Sequence, residues 1–265
     1  MSGIDRLLEV MRRLRDPQNG CPWDIEQSFA TIAPYTIEEA YEVADAIARE
    51  DWQALPGEIG DLLLQVVYYT QMGAEAGRFD FDTVAHGIAD KMIARHPHVF
   101  GEDQVADDAA LRALWEERKQ AERAAKPGGD PSLLADVPVG FPALTRALKL
   151  QRRAARAGFD WGAARPILAK LREEIAELEE ALDESAPTAA QELELGDLLF
   201  TVVNLARHLE LDPEAALRAT NAKFERRFRS IEAAVARQGR AVSETSLAEL
   251  EVLWEEAKAS EREPG

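Results

Sequence analysis

Two stretches of this chain carry the same residues in the same order, so a fold that suits one half must be repeated by the other. Gly20-Cys21-Pro22-Trp23 answers to Gly158-Phe159-Asp160-Trp161, IEEAYEV at 37–43 to REEIAEL at 172–178, and GEIGDLL at 57–63 to LELGDLL at 193–199. Further on, Lys91 and Arg95 answer to Lys223 and Arg227. LWEERKQAE at 114–122 answers to LWEEAKASE at 253–261, which pairs Trp115 with Trp254 and Lys119 with Lys258. The offsets stay between roughly 132 and 139 residues. Two Glu-rich helical bundles resemble one another in any single block; five blocks in register mark an internal duplication.

Within each repeat, apolar residues recur at helical spacing, Ala, Leu, Glu and Arg dominate, and alternating Val/Ile runs bounded by turn residues are nearly absent. The expected class is all-α. The segment KPGGDPSLLADVPVGFP at 126–142 breaks the helical pattern with repeated Pro and Gly. It is read as a linker between an N-terminal helical domain over 1–125 and a C-terminal one over 143–265.

Charge narrows the partners. With 31 Lys and Arg against 49 Asp and Glu the chain carries a net charge of −18, and no continuous basic stripe is present to neutralise a nucleic-acid backbone. Nucleic acid is therefore not an expected partner. Anionic nucleotides remain open to such a chain if a divalent cation and a few local Lys and Arg reverse the field in one cleft. The single cysteine, Cys21, excludes an intrachain disulfide and a Cys-built metal site. Asp5 and Glu9 interrupt the Arg-bearing first helix, no signal core follows, and the longest apolar run, Leu62–Tyr69, is far shorter than the ~20 residues of a membrane span. A cytoplasmic protein without a membrane segment is expected.

The chemistry is carried by acids. Each repeat has one E-x-x-E and, on a later helix, one E-x-x-D: Glu39, Glu42, Glu58 and Asp61, then Glu174, Glu177, Glu194 and Asp197. Residues three apart share a helix face. The second pair is embedded among Ile59, Leu62, Leu63 and Val66, which turns that face toward the interior. Carboxylates gathered in a partly buried place repel one another unless a cation compensates. Oxygen-only ligands favour Mg²⁺, Ca²⁺ or Mn²⁺, and Mg²⁺, with Mn²⁺ as substitute, keeps positions for water and phosphate. Di-iron bundles need Glu-x-x-His, and none of His86, His96, His98 and His208 follows a Glu at that spacing. An isolated E-x-x-E in a Glu-rich chain is ordinarily a solvated face, as expected for Glu179, Glu180 and Glu184.

Triphosphates are the common anions that arrive with Mg²⁺, and cations would be needed to clamp them. Lys223 and Arg227, like Lys91 and Arg95, lie four apart on one helix face, and Lys258 lies a turn beyond Trp254, which could stack on a base. The plain structural alternatives are a solvated basic stripe and a core Trp. There is no P-loop; Gly57, Gly60 and Gly196 read as sites of close helix packing. Cys21 reads as a packed thiol, His96-Pro97-His98 as a helix terminus, and His208 as core or rim.

The two acidic pairs, GDLL, RHPHVF at 95–100, KFERRF at 223–228 and GFDW at 158–161 together resemble the MazG-type nucleoside triphosphate pyrophosphohydrolases, from Ile4 to about Lys258. The resemblance implies a four-helix-bundle core in each half, a homodimer, Mg²⁺ dependence, and cleavage of nucleoside triphosphates between the α and β phosphates with broad base tolerance. Carried over by motif, Glu174, Glu177, Glu194 and Asp197 would bind Mg²⁺, with Glu39, Glu42, Glu58 and Asp61 as their N-terminal counterparts. Lys170, Lys223, Arg227, Trp254 and Lys258 would hold the nucleotide. Lys170 and Arg172 are replaced in the first repeat by Tyr35 and Ile37, so the C-terminal site is expected to do most of the catalysis. Glu173 is the expected base for the attacking water, whose pKa the metal would lower. The alternative outside enzymology is a metal- and nucleotide-binding regulatory protein that binds without turnover.

Overall fold

The computed structural model describes residues 1–101, 107, 111, 114–115, 118, 130, 132–183 and 186–261; among them there is no strand. The chain divides into two compact units, Met1–Ala125 and Lys126–Gly265.

The first unit contains α1 (Gly3–Leu14), α2 (Pro22–Glu26), α3 (Phe29–Ala48), α4 (Leu55–Glu75), α5 (Phe81–Arg95) and α6 (Pro97–Phe100). The starts are written locally. Ser2 and Asp5 cap α1 reciprocally, Ser28 and Thr31 do the same for α3, and Asp80 accepts from the Thr83 amide at the start of α5. His96 ends α5 and begins α6, with Pro97 at its first position, so the His-Pro-His motif is a helix junction as expected. The helices α3 and α4 pack along one another as a hairpin, and α1 and α5 lie against α4. Met11, Ile32, Val67, Tyr68 and Met72 form the buried centre of that packing.

The second unit repeats the plan with α7 (Ala143–Arg156), α8 (Ala164–Asp183), α9 (Thr188–His208), α10 (Pro213–Arg237) and α11 (Leu247–Ser260). Here α8 and α9 form the hairpin, α7 packs on α9 and α10, and α11 packs on α10. Leu148, Ile167, Val203, Ile231, Val235 and Ala257 are buried. In the segment before α7, Val137 is buried and Arg153 donates to the Asp136 carbonyl at 3.4 Å. None of the described helices is long and apolar enough to cross a membrane.

Each unit fastens its first loop to its hairpin with different residues. In the first, the Arg15 guanidinium pairs with Glu75 at 2.7 Å and donates to the Asp24 and Gln27 carbonyls, while the Tyr68 hydroxyl donates to the Asp24 carboxylate at 2.7 Å. Gly20 lies in this turn, where a Cβ would come within 2.3 Å of the Leu14 carbonyl oxygen, so no side chain fits. In the second unit, Asp160 is held by Arg207 and, at 2.9 Å, by His208. His208 is thus a half-buried anchor of this loop, at the core or rim as its position suggested.

Two expectations about packing change. Ile59, Leu63 and Val66 are exposed by a third to a half, as are Leu195, Leu199 and Val202 at the matching places on α9. The periodicity marked an apolar face, but the described residues of each unit do not bury it. Likewise a Cβ at Gly57, Gly60 or Gly196 would meet no atom within 4 Å, so among the described residues of each unit these glycines do not serve close helix packing.

Candidate metal and nucleotide site

Because α8 and α9 lie side by side, the face with Glu174 and Glu177 meets the face with Glu194 and Asp197. Glu174, Glu194 and Asp197 each offer an oxygen such that all lie within 4.8 Å of one another. Glu39 of α3 with Glu58 and Asp61 of α4 does the same in the first unit. In an octahedral shell about Mg²⁺ at ~2.1 Å, neighbouring oxygens stand about 3 Å apart and opposite ones about 4.2 Å, so either group needs only side-chain adjustment to close on one ion. The donor set is all oxygen, comes from two rigid helices, and is self-repelling without a cation. The residues fit a hard divalent ion.

Glu42 and Glu177, the fourth acids, lie outside these tight groups. The Glu39 carboxyl is pushed up, first by burial and then by the charges of Glu42 and Asp61. Glu177 is pushed up by burial and by Glu174 and Glu173, against the opposing charge of Lys170.

The two sites differ in how their acids are answered. Glu174 is the one buried member, at 4% exposure, and Lys170 places its ammonium 3.0 Å from it and 2.7 Å from Glu173. Both acids raise the Lys170 pKa, Glu173 first. In the first unit Tyr35 stands in the place of Lys170, edge-on to Trp23 with ring centres 6.3 Å apart. The C-terminal acids open into a cleft of about 490 Å³ lined by Lys170, Glu174, Glu177, Glu194 and Asp197, with Glu180, Ala181 and Ala186. That volume is within the range of small-molecule sites. Glu180, read from sequence as solvated, is exposed and stands at the rim of this cleft. The signal was the continued three-residue spacing Glu174, Glu177, Glu180. Glu173 stands outside the lining, exposed and paired with Lys170.

The remaining residues expected to hold nucleotide gather on α10 and α11, not in the cleft lining. The Arg227 guanidinium lies over the Trp254 ring at 5.6 Å and pairs with Glu261 at 2.7 Å. Trp254 also meets Phe224, with ring centres 5.4 Å apart. Lys258 pairs with Glu255 at 2.7 Å, and Lys223 is exposed. Glu261 carried no signal in the sequence beyond the recurrence of its block. In the first unit Lys91 is exposed and Trp115 packs edge-on against His96, while Lys119 lies outside the described residues, as does Glu184.

Comparison with known proteins identifies matches over both units. The profile of the MazG nucleotide pyrophosphohydrolase domain matches twice, at 27–100 and 164–231. Over 98% of this chain and 99% of the relative, the sequence is 52% identical to the nucleoside triphosphate pyrophosphohydrolase of Escherichia coli (strain K12). It is 37% identical to the nucleoside triphosphate pyrophosphohydrolase/pyrophosphatase MazG of Thermotoga maritima, over 97% of this chain and 96% of the relative. A Bacillus subtilis protein of uncharacterised function, YabN, is 43% identical over 96% of this chain and 51% of its own length.

Proposed function

The chain belongs to the MazG nucleotide pyrophosphohydrolase family, and on that premise we propose that it hydrolyses nucleoside triphosphates between the α and β phosphates, chiefly at its C-terminal cleft. The observation that carries this reading is the juxtaposition, in one cleft, of three carboxylates within 4.8 Å and the Lys170 ammonium. The names of the full-length relatives support a nucleoside triphosphate as substrate.

Glu174, Glu194 and Asp197 would hold Mg²⁺ or Mn²⁺, with Glu177 beside them. When bound, the ion would neutralise the phosphates and acidify a water. Glu173, outside the metal set and paired with Lys170 at 2.7 Å, would accept the proton of the attacking water once Lys170 turns to the phosphates. Lys170 offers its ammonium to the charge that accumulates on the departing pyrophosphate. Arg227, Trp254, Lys223 and Lys258 form a second, cationic and aromatic surface suited to a base and its phosphates, one that must be brought to the acids for it to act on the same nucleotide.

The exposed stripes Ile59, Leu63, Val66 and Leu195, Leu199, Val202, with the seven-residue series Leu168, Ile175, Leu182, support a homodimer in which a second copy covers them. Disabling the clusters one at a time tests the assignment of sites, by measuring turnover of ATP, dCTP, dUTP and dGTP. Glu194→Gln with Asp197→Asn should abolish turnover of all four, and Glu58→Gln with Asp61→Asn should leave most of it. Equal loss from either pair would refute a main C-terminal site. Metal and nucleotide binding without any turnover would instead favour a regulatory binding protein.

A further inference from the structure

Lys170 answers a problem that the buried position of Glu174 creates. A carboxylate at 4% exposure beside two further acids is costly without a nearby positive charge. The ammonium of Lys170 supplies it from within the same helix, at 3.0 Å from Glu174 and 4.0 Å from Glu177. Its flexible four-carbon stem carries the charge without fixing it there. Among the described residues the first unit shows no such device: Tyr35 stands at that place, and the charges acting on Glu39 come from Glu42, Asp61 and Glu38, all carboxylates.

We propose that Lys170 is a resident counter-cation of the C-terminal cluster, displaced when a divalent metal binds Glu174 and handed over to the nucleotide phosphates. The inference rests on the reading of Glu174, Glu194 and Asp197 as metal ligands. It follows that metal and Lys170 compete for one carboxylate. The lysine lowers the metal affinity of the cluster without nucleotide, and the triphosphate, by engaging the freed ammonium, draws the metal in. Metal and nucleotide binding are thereby coupled at the second unit and uncoupled at the first.

The signature is a pair of effects with opposite signs. Electron spin resonance of free Mn²⁺ titrated into the full chain, in a Glu58→Gln/Asp61→Asn background, reports the C-terminal cluster alone. There Lys170→Met should tighten Mn²⁺ about five- to tenfold, since it removes a competitor and a like charge together. The same variant should weaken α,β-methylene-ATP, a non-hydrolysable triphosphate, by a similar factor. The reciprocal change, Tyr35→Lys in a Glu194→Gln/Asp197→Asn background, should loosen Mn²⁺ at the N-terminal cluster. A purely supporting lysine would weaken Mn²⁺ when removed; unchanged or weaker Mn²⁺ binding in Lys170→Met, or unchanged binding in Tyr35→Lys, overturns the proposal. If Mn²⁺ binds neither the C-terminal background nor its Lys170→Met variant, the metal reading itself falls.

Discussion

Glu174 is the one acid of the two clusters that the fold buries, and its environment sets what each substitution should do. Replacing it by Gln keeps the shape but removes a ligand charge, so turnover should fall by about 10²-fold or more. The matching Glu39→Gln should cost less than about threefold, and steady-state rates on one triphosphate compare them directly. A different acid reports on stability. The Arg207 guanidinium, with His208 and the Trp161 amide, holds the Asp160 carboxyl at about 2, below its ordinary value of 3.8. A depressed carboxyl contributes stability that is fully present above its unfolded pKa and lost as pH falls through the folded value. Asp160→Asn should therefore lower the unfolding temperature at pH 6, and the difference from the parent should shrink between pH 4 and pH 2. A constant difference across that window would separate the effect from ionisation.

At the level of elements, the all-α class and the helical repeat were legible. Ser28, immediately before Phe29, caps α3, and Ser28→Ala should cost about 1 kcal/mol because it leaves the Thr31 amide without its side-chain acceptor. Gly20→Ala should cost about 1–3 kcal/mol, since its Cβ would strike the backbone of Leu14 and Asp16. Urea unfolding measures both, with the slope of the transition unchanged. The clash at Gly20 was not legible, because it depends on how the chain returns past the end of α1. Nor was the exposure of Ile59, Leu63 and Val66: spacing says which face of a helix is apolar, not whether its own chain covers it. The three-residue repeat of acids on α8 was legible, and Glu180, exposed as expected, stands at the rim of the cleft that the repeat lines. The pairing of Arg227 with Glu261 depends on α10 meeting α11, a contact between residues 34 apart that local pattern does not contain.

For the whole molecule, duplication was the most legible property, and it explains why two acidic clusters exist where one would serve. The two copies keep all four acids and differ at one residue that answers them, Tyr35 against Lys170. The apolar stripes predict association: sedimentation should show a dimer, and Leu195→Glu with Leu199→Glu should shift it to monomer. A wild-type chain that sediments as a monomer at micromolar concentration would remove the second copy from the account. The most direct measurement of the central claim is phosphorus NMR of ATP and Mg²⁺ with the full chain and with its Glu174→Gln/Asp197→Asn variant. AMP and pyrophosphate, absent with the variant, are the predicted result; ADP and phosphate, or a variant as active as its parent, would contradict it.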